Sequence, residues 1–200
     1  MTRRVQHLLE AVASGKSAAA VLREAIDGDT KAPFLYIQVP EALHAALAVI
    51  AQRVPQKLED ENSDHVTLLW VPDFSDDFGA HAAIQALRRV GRAVEPFTAK
   101  VQGWAFFDRV RTRESDQEAT ALVALLDAPA LSRLHHMVRE ALGETGWPTD
   151  QQTHSYVPHI TLAYLEHGAR YNDLPVMDYE FNVGMFSVAW RGIRSIPLGG

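Results

Sequence analysis

The chain has 200 residues, of which 47% are hydrophobic and 22% charged, and this balance is typical of a globular protein with a buried core. It contains no cysteine, which excludes disulfides, thiolate metal sites and a cysteine nucleophile. A formal net charge of −6 disfavours an extended nucleic-acid surface, and without a signal peptide or an apolar run of about 18 residues we expect a cytoplasmic protein that does not enter a membrane.

The first part of the chain predicts a helical extension followed by a folded domain. Apolar residues at helical spacing predict two short helices within an N-terminal extension over residues 1–32, ahead of a domain over residues 33–200. Residues 34–39 are rich in aromatic and β-branched types and predict a strand that Pro40 ends. Residues 41–53 predict a helix, and the polar residues 58–64 predict a loop that leads to His65.

The later part of the chain repeats this order. Residues 77–92 predict a helix and residues 97–107 a strand. Residues 121–126 then predict a strand and residues 130–142 a helix, and a loop with Gly and Pro leads to His159. Residues 181–190 predict a final strand.

A His-hydrophobic-Thr-Leu pattern occurs twice, at residues 65–68 and 159–162. Because side chains alternate along a strand, His65 and Thr67 share one face, as do His159 and Thr161. Each copy follows a strand, a helix and a loop. This repetition predicts an internal duplication, with two similar, interleaved lobes of roughly residues 33–96 and 97–190 facing each other.

Two histidines can divide general acid and base catalysis at neutral pH, since the ordinary imidazole pKa lies close to that range. A phosphodiester flanked by a hydroxyl suits such a pair, because one ring takes a proton from the attacking oxygen while the other protonates the departing one. Thr67 and Thr161 are then placed to donate hydrogen bonds to the non-bridging phosphate oxygens. This chemistry requires neither a metal nor a cofactor.

These residues resemble the two-histidine phosphoesterase superfamily, which includes 2′,5′ RNA ligase-like proteins and cyclic phosphodiesterases. The resemblance covers roughly residues 34–190. It implies an α/β, or α+β, bilobal fold of two related halves, each with a mainly antiparallel sheet and helices, and metal-independent catalysis. It also implies that four residues meet in the cleft between the halves: His65, Thr67, His159 and Thr161.

One position departs from the pattern of this superfamily. Many bacterial members carry an arginine soon after the second motif, where this chain has Tyr164. Arg109 and Arg111 are therefore candidates for substrate binding, as is Lys100. The alternative for the arginines is a solvated strand edge, since charge runs usually lie in solvent.

Several aromatic and histidine residues have competing interpretations. Tyr36 and Tyr156 are candidates for stacking on a nucleobase, while Trp70 alternates with Thr67 and is expected to pack in the core. His135 and His136 are adjacent on a predicted helix and are expected at the surface. Because no His-Glu-x-x-His pattern occurs, no metal site is predicted.

The sequence therefore predicts a metal-independent phosphodiesterase with a small nucleotide or oligonucleotide as its partner. The substrate is a 2′,3′-cyclic phosphate, a 2′,5′-linked oligonucleotide or a cyclic oligonucleotide. An alternative is a non-catalytic module that binds a nucleotide or an RNA end in the same cleft. A third is a partner-binding protein that acts through residues 1–30. Which histidine is the acid stays open at this point.

Overall fold

The computed structural model describes residues 32–55, 57–60, 63–71, 79–112, 117–149, 155–190 and 192–200. The two helices predicted within the N-terminal extension fall in residues 1–31 and lie outside the described residues. The described elements, in chain order, are β1 (Phe34–Gln38), α1 (Glu41–Arg53), β2 (Lys57–Asp60), β3 (His65–Trp70), α2 (Ala80–Ala93), β4 (Phe97–Arg111), β5 (Glu118–Asp127), α3 (Pro129–Gly143), β6 (His159–Glu166), β7 (Glu180–Val183), β8 (Met185–Ala189) and β9 (Ile193–Pro197).

The strands form two sheets in which the paired neighbours run antiparallel. Sheet A has four strands in the order β3-β1-β8-β9, and sheet B has five in the order β2-β6-β5-β4-β7. Each sheet holds one of the two strands that begin with the repeated histidines. The predicted fold class, an α+β fold with two mainly antiparallel sheets, is confirmed.

The helices form where apolar residues recur at helical spacing. In α1, Leu43, Leu47 and Ile50 are buried on one face, and acidic Glu41 and basic Arg53 lie at the ends where they complement the helix dipole. Helix α1 contacts β6, α2 contacts β9 and α3, and α3 contacts β3. The helices therefore link strands of both sheets. No helix in the described ranges is long and apolar enough to cross a membrane.

Three features of the sheets differ from the sequence prediction. The predicted loop 58–64 overlaps the short edge strand β2, which pairs with β6. The single strand predicted over residues 181–190 is two strands, because the chain passes at Gly184 from β7 in sheet B to β8 in sheet A. Strand β9 was not predicted. A local apolar run carries no information about which sheet a strand joins, so these crossings are not visible in the sequence.

Helix α2 packs closely on the end of sheet A through Gly91. A Cβ atom at this position would lie 2.5 Å from the carbonyl oxygen of Pro197 and 2.7 Å from Cγ2 of Ile196. The Gly91 carbonyl also accepts a hydrogen bond of 3.0 Å from the backbone N–H of Gly199. Glycine is therefore required here for the close approach of backbone to backbone.

Candidate active site

The first His-x-Thr strand lies at one edge of sheet A. His65 begins β3 and pairs with Gln38 at the end of β1, and Thr67 pairs with Tyr36. The register then shifts, so that Leu68 is an extra residue without a partner in β1. This β-bulge directly follows the motif.

The second motif has the same register in sheet B. His159 begins β6 and pairs with Leu125 near the end of β5, and Thr161 pairs with Val123. The register again shifts directly after the threonine, which leaves Leu162 as the extra residue. The two halves therefore agree in strand pairing and in the position of a bulge, as the duplication inferred from the sequence requires.

The same backbone hydrogen bond precedes each histidine. In sheet A the N–H of Val39 donates to the carbonyl of Asp64 at 2.9 Å, and in sheet B the N–H of Leu126 donates to the carbonyl of Pro158 at 3.1 Å. Asp64 and Pro158 are the residues immediately before the two histidines. Each histidine therefore starts its strand from an anchored backbone.

Reciprocal hydrogen bonds join the two motifs to each other. The backbone N–H of Ser63 donates to the carbonyl of Thr161 at 2.8 Å. In the opposite direction, the hydroxyl of Tyr156 donates to the carbonyl of Thr67 at 3.0 Å. Burial raises the pKa of Tyr156, so its hydroxyl stays protonated as this hydrogen bond requires. We call this pair of bonds the cross-lock. It fixes each motif strand against the segment that leads to the other.

His135 extends the cross-lock from helix α3. Its Nδ1 lies 2.6 Å from the carbonyl of Leu68, and its ring stacks on Tyr156 with 4.1 Å between centroids. Because a carbonyl only accepts, Nδ1 carries the proton. Burial lowers the pKa of His135, which keeps the ring neutral. The surface position predicted for His135 is wrong, because this side of α3 covers the edge of β3. His136 is exposed, as predicted, and pairs with Glu140.

The ring of His65 contacts two aromatic rings and one carboxylate. Its ring meets the rings of Phe34 and Tyr36 edge-on, with centroid distances of 5.0 and 5.7 Å, and only 6% of the residue is exposed. Its Nδ1 lies 3.3 Å from Oδ1 of Asp64. The amide of Gln38 donates to Oδ2 of Asp64 at 2.7 Å. Nδ1 is thereby engaged, which leaves Nε2 as the nitrogen available for chemistry.

The hydrogen bonds to Asp64 keep its carboxylate charged. Burial alone raises the pKa of Asp64, but the hydrogen bonds with His65 and Gln38 and the positive charge of His65 outweigh it, and the pKa lies below its usual value. Neither Asp64 nor Gln38 was predicted from the sequence as a site residue. The available signal was an acidic residue immediately before the first histidine.

Among the described residues, the Nδ1 partner of His159 is a backbone carbonyl and not a carboxylate. Its Nδ1 donates instead to the backbone carbonyl of Val157 at 2.7 Å, and Phe107 meets its ring edge-on at 5.0 Å between centroids. Burial lowers the pKa of His159, the hydrogen bond to Val157 partly offsets this, and the charge of His65 lowers it further. The two imidazoles therefore lie within electrostatic reach of each other.

The comparison with protein families agrees with this geometry. The model of the 2′-5′ RNA ligase superfamily matches residues 63–179, a span that contains both His-x-Thr strands. The chain belongs to this superfamily. Its recognition as a two-histidine phosphoesterase is thereby confirmed, and the family supports a phosphodiesterase-type function.

Solved structures show the same fold at low sequence identity. TT0787 of Thermus thermophilus matches with a TM-score of 0.61 and 20% identity over 84% of this chain and 98% of its own. Escherichia coli LigT complexed with 3′-AMP matches with a TM-score of 0.58 and 20% identity over 85% and 96%. Kluyveromyces marxianus Usb1 matches with 0.53 and 12% over 84% and 99%. Among curated protein sequences, none matches the chain significantly.

In this superfamily member, the two tyrosines predicted to stack on a base already have ring partners. Tyr36 stacks on Phe34 with 5.3 Å between centroids and is 5% exposed, and Tyr156 stacks on His135. Both contacts hold the motif strands in place. Base stacking by Tyr36 or Tyr156 remains a prediction.

The candidate cations lie on β4, which β5 separates from β6. Arg109 and Arg111 are exposed near the end of β4. The register partner of Arg111 on β5 is Glu118, at one end of that strand, whereas the register partner of His159 is Leu125, near the other end. Substrate binding by either arginine remains a prediction that requires a ligand extending along β4. Lys100 makes ion pairs with carboxylates near and on β7, the nearer being Asp178 at 2.8 Å. Among the described residues, no three or more His, Asp or Glu are grouped as metal ligands.

The expected packing position of Trp70 is wrong. Leu68 and Leu69 are both buried, and the following Trp70 is 55% exposed. The bulge interrupts the alternation of side chains, so Trp70 turns to the face of Thr67 rather than away from it. Tyr164 occupies the equivalent position after the second bulge and is half-buried.

Proposed function

We propose that the protein is a metal-independent phosphodiesterase that cleaves a small RNA-type phosphodiester bound between His65 and His159. The observation that carries the proposal is the duplicated site, in which matching register, matching bulges and the cross-lock set a histidine and a threonine of each half in equivalent positions. Two equivalent imidazoles suit a reaction that needs a proton removed at one oxygen and supplied at another.

The surroundings of the two histidines support different roles. The carboxylate of Asp64 compensates a positive charge on His65, so His65 is assigned as the general acid. Burial and the charge of His65 favour a neutral His159, whose Nδ1 proton is held by Val157 and whose Nε2 is then a free base. His159 is therefore assigned as the general base.

For a 2′,3′-cyclic phosphate, the reaction is an in-line attack of water on phosphorus. Nε2 of His159 takes a proton from the water as the new P–O bond forms. The bond from phosphorus to one ribose oxygen breaks, and that oxygen takes the proton from Nε2 of His65. The products are a phosphomonoester and a free hydroxyl, and proton exchange with solvent returns both imidazoles to their starting states.

The two threonines support charge development at the phosphate. Thr67 and Thr161 are half-buried and point to the same faces as their histidines. Their hydroxyls are assigned to donate to the two non-bridging oxygens, where negative charge increases in the transition state. A β-branched residue in a strand holds its hydroxyl in few rotamers, which favours such fixed donors.

Charge and comparison both favour a small nucleotide as the substrate. The net charge of −6 disfavours a long nucleic acid, which draws its affinity from many Lys and Arg contacts to phosphate. Structures of Escherichia coli LigT contain 3′-AMP, NADP+ or ATP. A 2′,3′-cyclic phosphate, a 2′,5′-linked oligonucleotide and a cyclic oligonucleotide remain the substrates to distinguish.

The test is a product assay on a panel of these substrates with 3′,5′-linked oligonucleotides as controls, in the presence of EDTA. We expect one class to be cleaved in EDTA and a loss of at least about 10²-fold in kcat for His65→Ala and for His159→Ala. His136→Ala is the matched control, because this histidine is exposed on α3. Activity that EDTA abolishes and a divalent ion restores would contradict the proposal, and nucleotide binding without turnover would favour the non-catalytic alternative.

A further inference from the structure

Trp70 lies on the face of sheet A that carries His65. The rings of Phe34 and Tyr36 stack on each other and both touch the ring of His65, so these three side chains share one face. Trp70 is the cross-strand partner of Phe34, and directly opposed residues in an antiparallel pair project to the same side. The indole therefore belongs to the wall of the candidate active site.

Trp70 is the exposed tryptophan of the described residues. It is 55% exposed, whereas Trp147 and Trp190 are 3% and 4% exposed in the core. Trp104 donates its indole N–H to the carbonyl of Pro175 at 2.8 Å and packs against the core. Bulges commonly re-aim a side chain beside an active site, and here the bulge at Leu68 turns a large aromatic ring out of the core.

The spacing between Trp70 and Thr67 matches the span of one nucleotide. Their partners on β1 are Phe34 and Tyr36, two residues apart, which corresponds to about 7 Å along the strand. A phosphate held at the Thr67 hydroxyl therefore leaves room for one ribose before the attached base reaches the indole. A substrate without a base would not reach Trp70.

We propose that Trp70 is the stacking surface for a nucleobase attached to the scissile phosphate. The proposal rests on the proposed function, and it assigns the nucleoside side of the substrate to sheet A. Every nucleobase presents a π-face, so stacking on an indole gives affinity with little preference among bases. The expected loss on removing the ring is about 5- to 150-fold in binding.

The first experiment compares two substrates in two variants. For Trp70→Ala we expect KM for an adenosine 2′,3′-cyclic phosphate to rise by about 5- to 150-fold, and for Trp70→Phe much less, because a benzene ring still stacks. For ribose 2′,3′-cyclic phosphate, which has no base, both variants should match the wild-type protein. An equal KM increase for both substrates would overturn the proposal, since it would mean that Trp70 only shapes the site.

The second experiment measures binding without turnover. Titration of the wild-type protein with 3′-AMP should quench tryptophan fluorescence, inorganic phosphate should not, and the quenching should be lost in Trp70→Phe. Quenching that persists in Trp70→Phe would overturn the proposal. If the wild-type protein cleaves no substrate, the proposed function fails, while this titration still decides whether a base stacks on Trp70.

Discussion

Replacing Asp64 by Asn removes one negative charge beside Nδ1 of His65 while leaving the size of the side chain nearly unchanged. The amide oxygen of Asn can still accept the Nδ1 proton, so the orientation of the ring is retained. What is lost is the charge that supports a protonated His65. If His65 is the general acid, the variant should lose activity.

The size of the effect follows from the geometry around Asp64. Nδ1 of His65 and Oδ1 of Asp64 are 3.3 Å apart, and the residues are 6% and 8% exposed, so water and salt screen the pair weakly. A hydrogen bond to a charged group is worth about 1.5–3 kcal/mol and a neutral one about 0.5–1.5 kcal/mol, so loss of the charge costs about 1–1.5 kcal/mol. This corresponds to a decrease of about 5- to 10-fold in kcat/KM.

The assay is kcat/KM for a 2′,3′-cyclic phosphate between pH 4 and 9, with thermal unfolding as a check on the fold. Asp108→Asn is the matched control, because Asp108 is an exposed carboxylate that pairs with Arg170 and accepts from Thr120. We expect the control to keep the wild-type kcat/KM throughout this range. An unchanged kcat/KM in Asp64→Asn would refute the role of the carboxylate in supporting His65 as the acid.

Three further predictions concern the base, the cross-lock and the packing of α2. Because burial lowers the pKa of His159, kcat/KM should rise with pH through a midpoint below 6.5. The same histidine should make the free energy of unfolding fall as the pH decreases from about 6.5, because the unfolded chain takes up the proton before the folded chain does. Denaturant titrations at several pH values measure this decrease. Tyr156→Phe leaves the Thr67 carbonyl without its donor and should lower the free energy of unfolding by about 1–3 kcal/mol in urea, with a lower kcat. Gly91→Ala forces a Cβ against Pro197 and should cost about 1–3 kcal/mol, with kcat of the folded protein unchanged.

The elements around the motifs were predictable because their signals are local. The helix over residues 41–53 and the strand at residues 34–38 follow from periodicity and from Pro40 within the segment itself. The assignment of β2, β8 and β9 to sheets depends on pairing between distant segments. No local pattern contains that pairing, so these strands were missed or merged.

A single β-bulge explains why the alternation of side chains predicted the wrong face of the sheet for Trp70. Strict alternation places Trp70 with the buried Val66 and Leu68, and only the pairing with β1 reveals the extra residue. The sequence did contain one usable signal. In both copies the threonine is followed by two buried apolar residues and then an aromatic one, Trp70 in the first and Tyr164 in the second. Two adjacent apolar positions are what a bulge requires when both side chains face the core.

The two halves have the same strand register and the same bulge, but they differ at the residue before the histidine. A pair of imidazoles in equal surroundings would favour neither partner as acid or base, whereas the reaction needs one ring protonated and the other neutral. The position before each histidine breaks this symmetry, since Asp64 offers a carboxylate to His65 while Pro158 offers no polar side chain to His159. A duplicated scaffold therefore sets the two rings in equivalent positions, while Nδ1 has a carboxylate partner in one copy and a backbone carbonyl in the other. An exchange of roles in Asp64→Asn combined with Pro158→Asp would establish that this position assigns acid and base.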